Sequence, residues 1–342
     1  MNVLLSAVGR RAYLVNYFKE VVHPLGGKVF ATNTIAEATG FLAADRSWVV
    51  PPSAEEEAFV STLVRICREN QVRLLFSLHD WEAPVIARYR QRFLDVGTIP
   101  VMGSAEVLAT CLDKYATARL AQRLGIPVPR TFLSLQEVER ALDRDLAFPL
   151  IVKPRWGQGS VGLYRVYSVE ELRAAYQLSD LLARRVAEVC PGIDISQPQV
   201  LIQACIIGEE HGCDIVNDLD GKFRKAFVKR KFDMRSGETD IAESVSRPDI
   251  AEYGKRIAEW SRHLGCMDSD FIVDRDNVAY LIELNPRFGG GYPFTHCAGA
   301  NIPLACVRWA SGNRDETDSW CSAYKLGVRT YKEIALHTVV GC

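Results

Sequence analysis

The stretch that decides the fold lies near the C-terminus and reads Asp270-Phe271-Ile272-Val273-Asp274-Arg275-Asp276-Asn277-Val278-Ala279-Tyr280-Leu281-Ile282-Glu283-Leu284-Asn285-Pro286-Arg287. Residues 271–273 and 278–282 are apolar runs of the kind that form strands. The polar Asp-Arg-Asp-Asn run between them is turn chemistry, so the spacing predicts a β-hairpin. Asp270 then opens the first strand, while Glu283 and Asn285 close the second. Antiparallel pairing brings all three to one end, and Glu283 and Asn285, two apart, share a face. Two carboxylates and an amide oxygen beside Arg287 form a set of hard oxygen donors, which Mg²⁺ prefers when it carries nucleotide phosphates.

A second motif lies upstream. Gly157-Gln158-Gly159-Ser160-Val161-Gly162 fits the spacing G-x-G-x-x-G. A dinucleotide fingerprint follows a strand and opens a helix. Here the β-prone Leu163-Tyr164-Arg165-Val166-Tyr167 follows, and helical spacing begins only after Ser168. There is no G-K-[ST], which excludes a P-loop. The glycines therefore join two strands. Such a loop lets backbone N–H groups approach phosphate oxygens. Lys153, at the end of the incoming strand 150–154, adds a point charge.

The first hundred residues alternate strand-like segments (3–7, 28–32, 47–50, 73–77) with helical ones (12–22, 55–69), as expected for a parallel sheet with crossover helices. Ligands collect at the carboxyl ends of such strands. Gly9-Arg10-Arg11 and His79-Asp80-Trp81-Glu82 occupy that edge, and Asp80 suits either a helix N-cap or a substrate contact. From Ser104 onward, helices are expected at 105–111, 114–124 and 135–142, with Asp113 as an N-cap. The expected domains are 1–103, 104–198 and 199–342.

At 342 residues the chain is long enough for two or three domains, and its net charge of −1 offers no global field for nucleic acid or an anionic membrane. No apolar run approaches the roughly 20 residues of a membrane span. The ten cysteines include no C-x-x-C pair, and Cys111, Cys205, Cys266 and Cys306 sit in apolar surroundings, as reduced thiols do. A cytoplasmic protein is expected.

Taken in order, Asp113-Lys114, Phe148 to Pro154, the glycine loop, Val200-Leu201-Ile202-Gln203, Gly208-Glu209-Glu210 and Ile282 to Arg287 resemble the ATP-grasp superfamily. Within it, Asn285-Pro286-Arg287 is similar to the synthetase domains of the carbamoyl phosphate synthase large subunit. The resemblance implies an α/β fold: an N-terminal parallel-sheet domain followed by a two-lobed ATP-grasp module, α+β in character. It implies ATP with Mg²⁺, or Mn²⁺ in its place. Lys114 and Lys153 would contact phosphates beneath Gly157, Gly159, Ser160 and Gly162. Gln203, Ala204, Cys205 and Ile206 would present backbone to the adenine, and Glu210 would hold the ribose. Asp270, Glu283 and Asn285 would hold the metal. Arg287, Lys153 and Asn285 would serve the chemistry, with Lys231 favoured over Lys229 for a further phosphate contact. Two positions depart from many relatives: Ala204 replaces an acidic residue, and Asp270 stands where some synthetase domains carry glutamine.

The activity so implied is a carboxylate–amine ligase working through an acyl phosphate. Alternatives are a non-amine acceptor, carbamoyl-phosphate-like chemistry and a non-catalytic ATP-binding protein. The substrates would be small carboxylates and amines, amino acids among them. Arg10, Arg11, Asp80, Glu82 and His296 are the candidate substrate contacts, although His296 suits a structural role better than a catalytic one. Relatives are often homodimers.

Overall fold

The computed structural model describes the chain apart from residues 158, 190–192, 236–237, 314–317, 334, 335, 337 and 339–342. Five strands form the N-terminal sheet: β1 (Asn2–Ser6), β2 (Val29–Asn33), β3 (Arg46–Val49), β4 (Val72–Ser77) and β5 (Ile99–Pro100). All are parallel, in the order β3-β2-β1-β4-β5. Crossovers run through α1 (Ala12–Val22) and α2 (Glu56–Glu69). Strand order reverses between β1 and β4, so the loops leaving those strands diverge and open a crevice above the sheet. Val3, Leu4, Leu5, Leu74 and Leu75 are fully buried, as expected of a sheet covered on both faces.

Next come α3 (Glu82–Arg88), α4 (Arg90–Leu94), α5 (Ala105–Leu112) and α6 (Lys114–Arg123). Asp113 caps α6 as expected, accepting from the amides of Tyr115 and Ala116. The small sheet contains β6 (Thr131–Phe132), β7 (Leu150–Pro154), β8 (Tyr164–Val166) and β9 (Val200–Ala204), antiparallel in the order β6-β9-β7-β8. It packs with α7 (Leu135–Leu142) and α8 (Val169–Val189) around Val138, Leu150, Val152 and Leu172. The glycine loop joins β7 to β8, a strand-to-strand connection as its flanking residues predicted.

The large sheet is antiparallel: β10 (Gly208–Asn217), β11 (Phe223–Arg235), β12 (Glu238–Ser244), β13 (Gly265–Asp274), β14 (Ala279–Asn285) and β15 (Arg329–Tyr331), in the order β14-β13-β10-β11-β12-β15. Cys213 and Ile215 pack with α9 (Pro248–Ser261), while Val216 joins α11 (Ile302–Ala310) in a different core. That second core also holds α1 and Phe76 of the N-terminal sheet, with Phe18 and Phe288 in ring contact with Phe76. A continuous apolar core thus sets the parallel sheet against the lobe that carries β13 and β14.

Candidate active site

The hairpin forms as expected, but β13 is far longer than residues 271–273. Its extension carries Asp268 and Asp270, which an apolar pattern leaves out of a strand and which basic residues on β11 accommodate. Asp274 shapes the turn: its Oδ1 accepts from the amides of Asp276 and Val278, and Asn277 takes the left-handed conformation at φ 63°. Register then sets Asp270 opposite Glu283, and Asp268 opposite Asn285. Asp270 and Glu283 face a cleft of about 280 Å³ between the small and large sheets. Lys114, Lys153, Gly157, Gly159, Ser160, Gln203, Ala204, Cys205, Ile206 and Glu210 line the same cleft. Most of the residues expected around a nucleotide therefore converge on one cavity, although they come from segments spread over nearly 170 positions.

Local contacts explain the placement of the lysines. Arg155 grips Asp113 through Nε (2.7 Å) and Nη2 (2.6 Å), which pins the start of α6 to the glycine loop. Lys114 then reaches both the Gly157 carbonyl and Glu283 Oε1, the latter at 3.1 Å. Lys153, only 5 % exposed on β7, is pushed down to about 8, mainly by burial and then by Lys114, against the pull of Glu283. Gly159 and Ser160 sit at φ 65° and 59°, which bends the loop over the cleft. Gly162 lies outside the lining and serves the base of the loop instead. A Cβ there would come within 3.0 Å of Pro154, and its carbonyl accepts from Ser179.

Beneath the hairpin runs a buried charge ladder. Lys229 donates to Asp214 at 2.6 Å and Thr295 at 3.2 Å, and Lys231 donates to Asp270 at 2.5 Å. Both lysine stems cross Gly212, where a Cβ would sit 3.1–3.2 Å from them. Burial opposes the Lys231 cation, but Asp270 and Asp268 outweigh it and keep it charged. Burial, with Asp270 and Asp214 alongside, pushes the Asp268 carboxyl up. Neither lysine lines the cleft: Lys229 braces the Gly291 turn, and Lys231 counters the charge of Asp270. Asp268 was missed in the sequence reading, although its period-two spacing from Asp270 was the available signal.

Arg287 corrects a second expectation. It donates from Nε and Nη2 to the two oxygens of Asp80 at 2.7 and 2.8 Å, with the Asp80 side chain buried and that of Arg287 mostly so. Asp80 is therefore neither an N-cap nor poised for a substrate amine. The residue before α3 is Trp81, and no side chain caps that helix. Burial would raise the Asp80 carboxyl, but the adjacent guanidinium prevails and holds it below the usual range. Asp80 and Asn285 line a small cleft that shares Gly157 and Glu283 with the larger one. Asp80→Ala would strand the Arg287 charge in the interior. A loss of about 3–5 kcal/mol in urea denaturation is expected, and wild-type stability would contradict the pair's role.

His296 is structural. Its ring stacks on Tyr17 at 3.6 Å between centroids and its Nδ1 pairs with the Tyr292 hydroxyl, while burial lowers its pKa to about 4. Arg10, Arg11 and Glu82 line a separate cavity above the parallel sheet. Among the described residues, no three His, Cys, Asp or Glu side chains gather as a metal site, so a divalent cation would depend on Asp270, Glu283 and an amide oxygen such as that of Asn285. Hard oxygen donors in a cleft already furnished with lysines suit a cation that arrives with phosphate. Among the described residues, no helix is long and apolar enough to cross a membrane.

Comparison with known proteins agrees with this arrangement. Residues 3–101 match a PylC-like N-terminal domain, and residues 196–333 match an ATP-grasp domain of the biosynthetic pathway with the Ter operon. Biotin carboxylase of Campylobacter jejuni, solved as a β,γ-ATP complex, superposes with a TM-score of 0.74 at 17% identity, covering 96% of this chain and 74% of that one. The biotin carboxylase domain of 2-oxoglutarate carboxylase from Hydrogenobacter thermophilus, solved with MgADP and bicarbonate, gives 0.73 at 16%, covering 96% and 73%. An L-amino acid ligase from Bacillus licheniformis gives 0.64 at 19%, covering 91% and 75%. At these identities the structural likeness is one of fold. The two family models, in chain order, identify an ATP-grasp domain behind a PylC-like N-terminal domain, the make-up of an ATP-grasp ligase.

Proposed function

We propose that this protein is a cytoplasmic ATP-dependent carboxylate–amine ligase that forms an amide or peptide-type bond through an acyl phosphate, releasing ADP and phosphate. Its units are residues 1–103, the small lobe 104–198 and the large lobe 199–342. The observation that carries this reading is the convergence of Lys114 and Lys153 with the Asp270–Glu283 pair inside one cleft roofed by the glycine loop.

A carboxylate resists attack by an amine because it is already anionic. Phosphorylation converts one oxygen into a leaving group, and that transfer depends chiefly on positioning and charge neutralisation. Lys114 and Lys153 provide fixed positive charge for the phosphates, and the glycine loop provides backbone N–H groups. The amides of Ala204 and Cys205 already donate to the carbonyls of Arg130 and Pro149, so the adenine edge falls to the Ile206 amide and the carbonyls of this segment. Glu210 holds the ribose. Asp270, Glu283 and Asn285 would hold Mg²⁺, which supplies further neutralisation of phosphate charge. Arg287, aimed by Asp80, steadies the carboxylate as it is activated.

The test is phosphate release from ATP and Mg²⁺ against pooled amino acids and small carboxylates, with ADP and AMP resolved. Substrate-dependent ADP and phosphate are expected. AMP and pyrophosphate would overturn the acyl-phosphate route, and ATP binding without turnover in any pool would favour a regulatory protein.

A further inference from the structure

The cavity above the parallel sheet has a volume of about 420 Å³ and shares no lining residue with the nucleotide cleft. It lies where strand order reverses between β1 and β4, the place where open parallel sheets bind small molecules. Its size is that of a small-ligand pocket. Its lining is dipolar. Arg10 is exposed at the rim, and Arg11 is half-buried and anchored by donating to the Leu78 carbonyl at 3.0 Å. Glu82, 4 % exposed, lies at the floor. Ser6 donates to Glu82 Oε2 at 2.6 Å, and Thr32 donates to Ser6 at 3.0 Å, so two strands orient the carboxyl from below. Burial raises Glu82 to about 7 despite the hydroxyls of Ser6 and Ser77. A carboxyl desolvated in this way gains most from a cationic partner. His79, by contrast, is held neutral: burial lowers it, and the nearby arginines add to that effect.

We propose that this cavity binds a zwitterionic amino acid, with its carboxylate on Arg10 and Arg11 and its ammonium on Glu82, as the amine-bearing substrate of the ligase. This deepens the ligase reading and rests on it. The position suits that role. The loop 78–81 and the first residue of α3 contribute His79 and Glu82 to this cavity, while Asp80, between them, holds Arg287 beside the hairpin end. The segment that shapes this cavity therefore also positions the arginine that would steady the activated carboxylate. The structure also removes Asp80 and His296 from the amino-acid contacts expected from sequence and adds Asn33, whose side-chain oxygen accepts from the Gly9 amide at the cavity wall.

The experiment uses the full chain, thermal shift and calorimetry. The probes are a set of L-amino acids, the matching amines without the carboxylate, and the matching 2-hydroxy acids without the ammonium. MgATP affinity is measured separately. At least one amino acid should bind and raise the melting temperature, and its two truncated counterparts should bind at least about tenfold more weakly. Glu82→Gln should weaken the amino acid by a similar factor and leave MgATP affinity unchanged. Thr34→Trp, at the exposed rim, should obstruct the cavity without disturbing the core. The proposal is overturned if no amino acid binds, if amines or hydroxy acids bind equally well, or if Thr34→Trp binds as the wild type does. Amino-acid binding without any MgATP binding would sink the ligase reading and leave the cavity assignment standing.

Discussion

Replacing Glu283 by alanine is expected to lower ATP-dependent turnover by at least about 10²-fold while the fold stays intact. The carboxylate lies on the cleft wall, with its side chain 27% exposed, opposite Asp270 and 3.1 Å from Lys114. It is not part of the apolar core, and Lys114 keeps the Gly157 carbonyl as a partner once Glu283 is gone. A partly exposed pair of this kind contributes about 1 kcal/mol or less, so urea denaturation should change little. The catalytic loss should be large because the metal would keep only Asp270 as a carboxylate ligand. A purified, folded Glu283→Ala protein with wild-type turnover would remove the hairpin from the metal site. Raising Mg²⁺ in the assay separates the two parts of the argument, since weakened metal binding should be partly restored at high Mg²⁺.

Lys153→Met should lower turnover by on the order of 10²-fold or more and should also make the ligand-free protein more stable. The first effect follows from losing a cation aimed at the transferring phosphoryl group. The second follows from burial, which lowers Lys153 from the usual 10.5 to about 8. At neutral pH the native state still carries this charge, at a cost of up to about 3 kcal/mol relative to the unfolded chain. The cost is present in full below the folded value of about 8. It diminishes as pH rises from there toward 10.5, because over that range the unfolded chain holds more protons on this residue than the native one. The gain from methionine should therefore be greatest at neutral pH and fade toward pH 10.5, which denaturation at the two pH values will show. A methionine variant less stable than wild type at neutral pH would contradict the desolvation argument. Unchanged kinetics would remove the lysine from the mechanism.

The elements that could be read in advance were those whose information is local. β7 and α7 fall at the residues their patterns indicate, Asp113 caps the helix it precedes, and the glycine loop joins two strands because β-prone residues follow it. The meeting of Asp270 and Glu283 at one end of the hairpin likewise follows from its turn, although their direct pairing depends on a register shift between Asp270 and Phe271 that the turn alone does not specify. Reading failed where a polar side chain had two local roles of similar merit. Asp80 fits a helix cap on sequence grounds, yet the cation it holds is Arg287, 207 positions away. His296 carries no local sign that Tyr17 will stack on it.

The sequence by itself determined the order of strands and helices, the hairpin that aligns the hard oxygen donors and the lysine at the end of β7, because periodicity and turn chemistry act over a few residues. Only the tertiary structure decided which charges meet. It set Lys231 on Asp270, Lys229 on Asp214, and Asp80 on Arg287, and it gave the N-terminal edge a cavity of its own. The physical reason is that a buried charge is costly unless it meets a partner, and the partner is chosen by how sheets pack rather than by spacing along the chain.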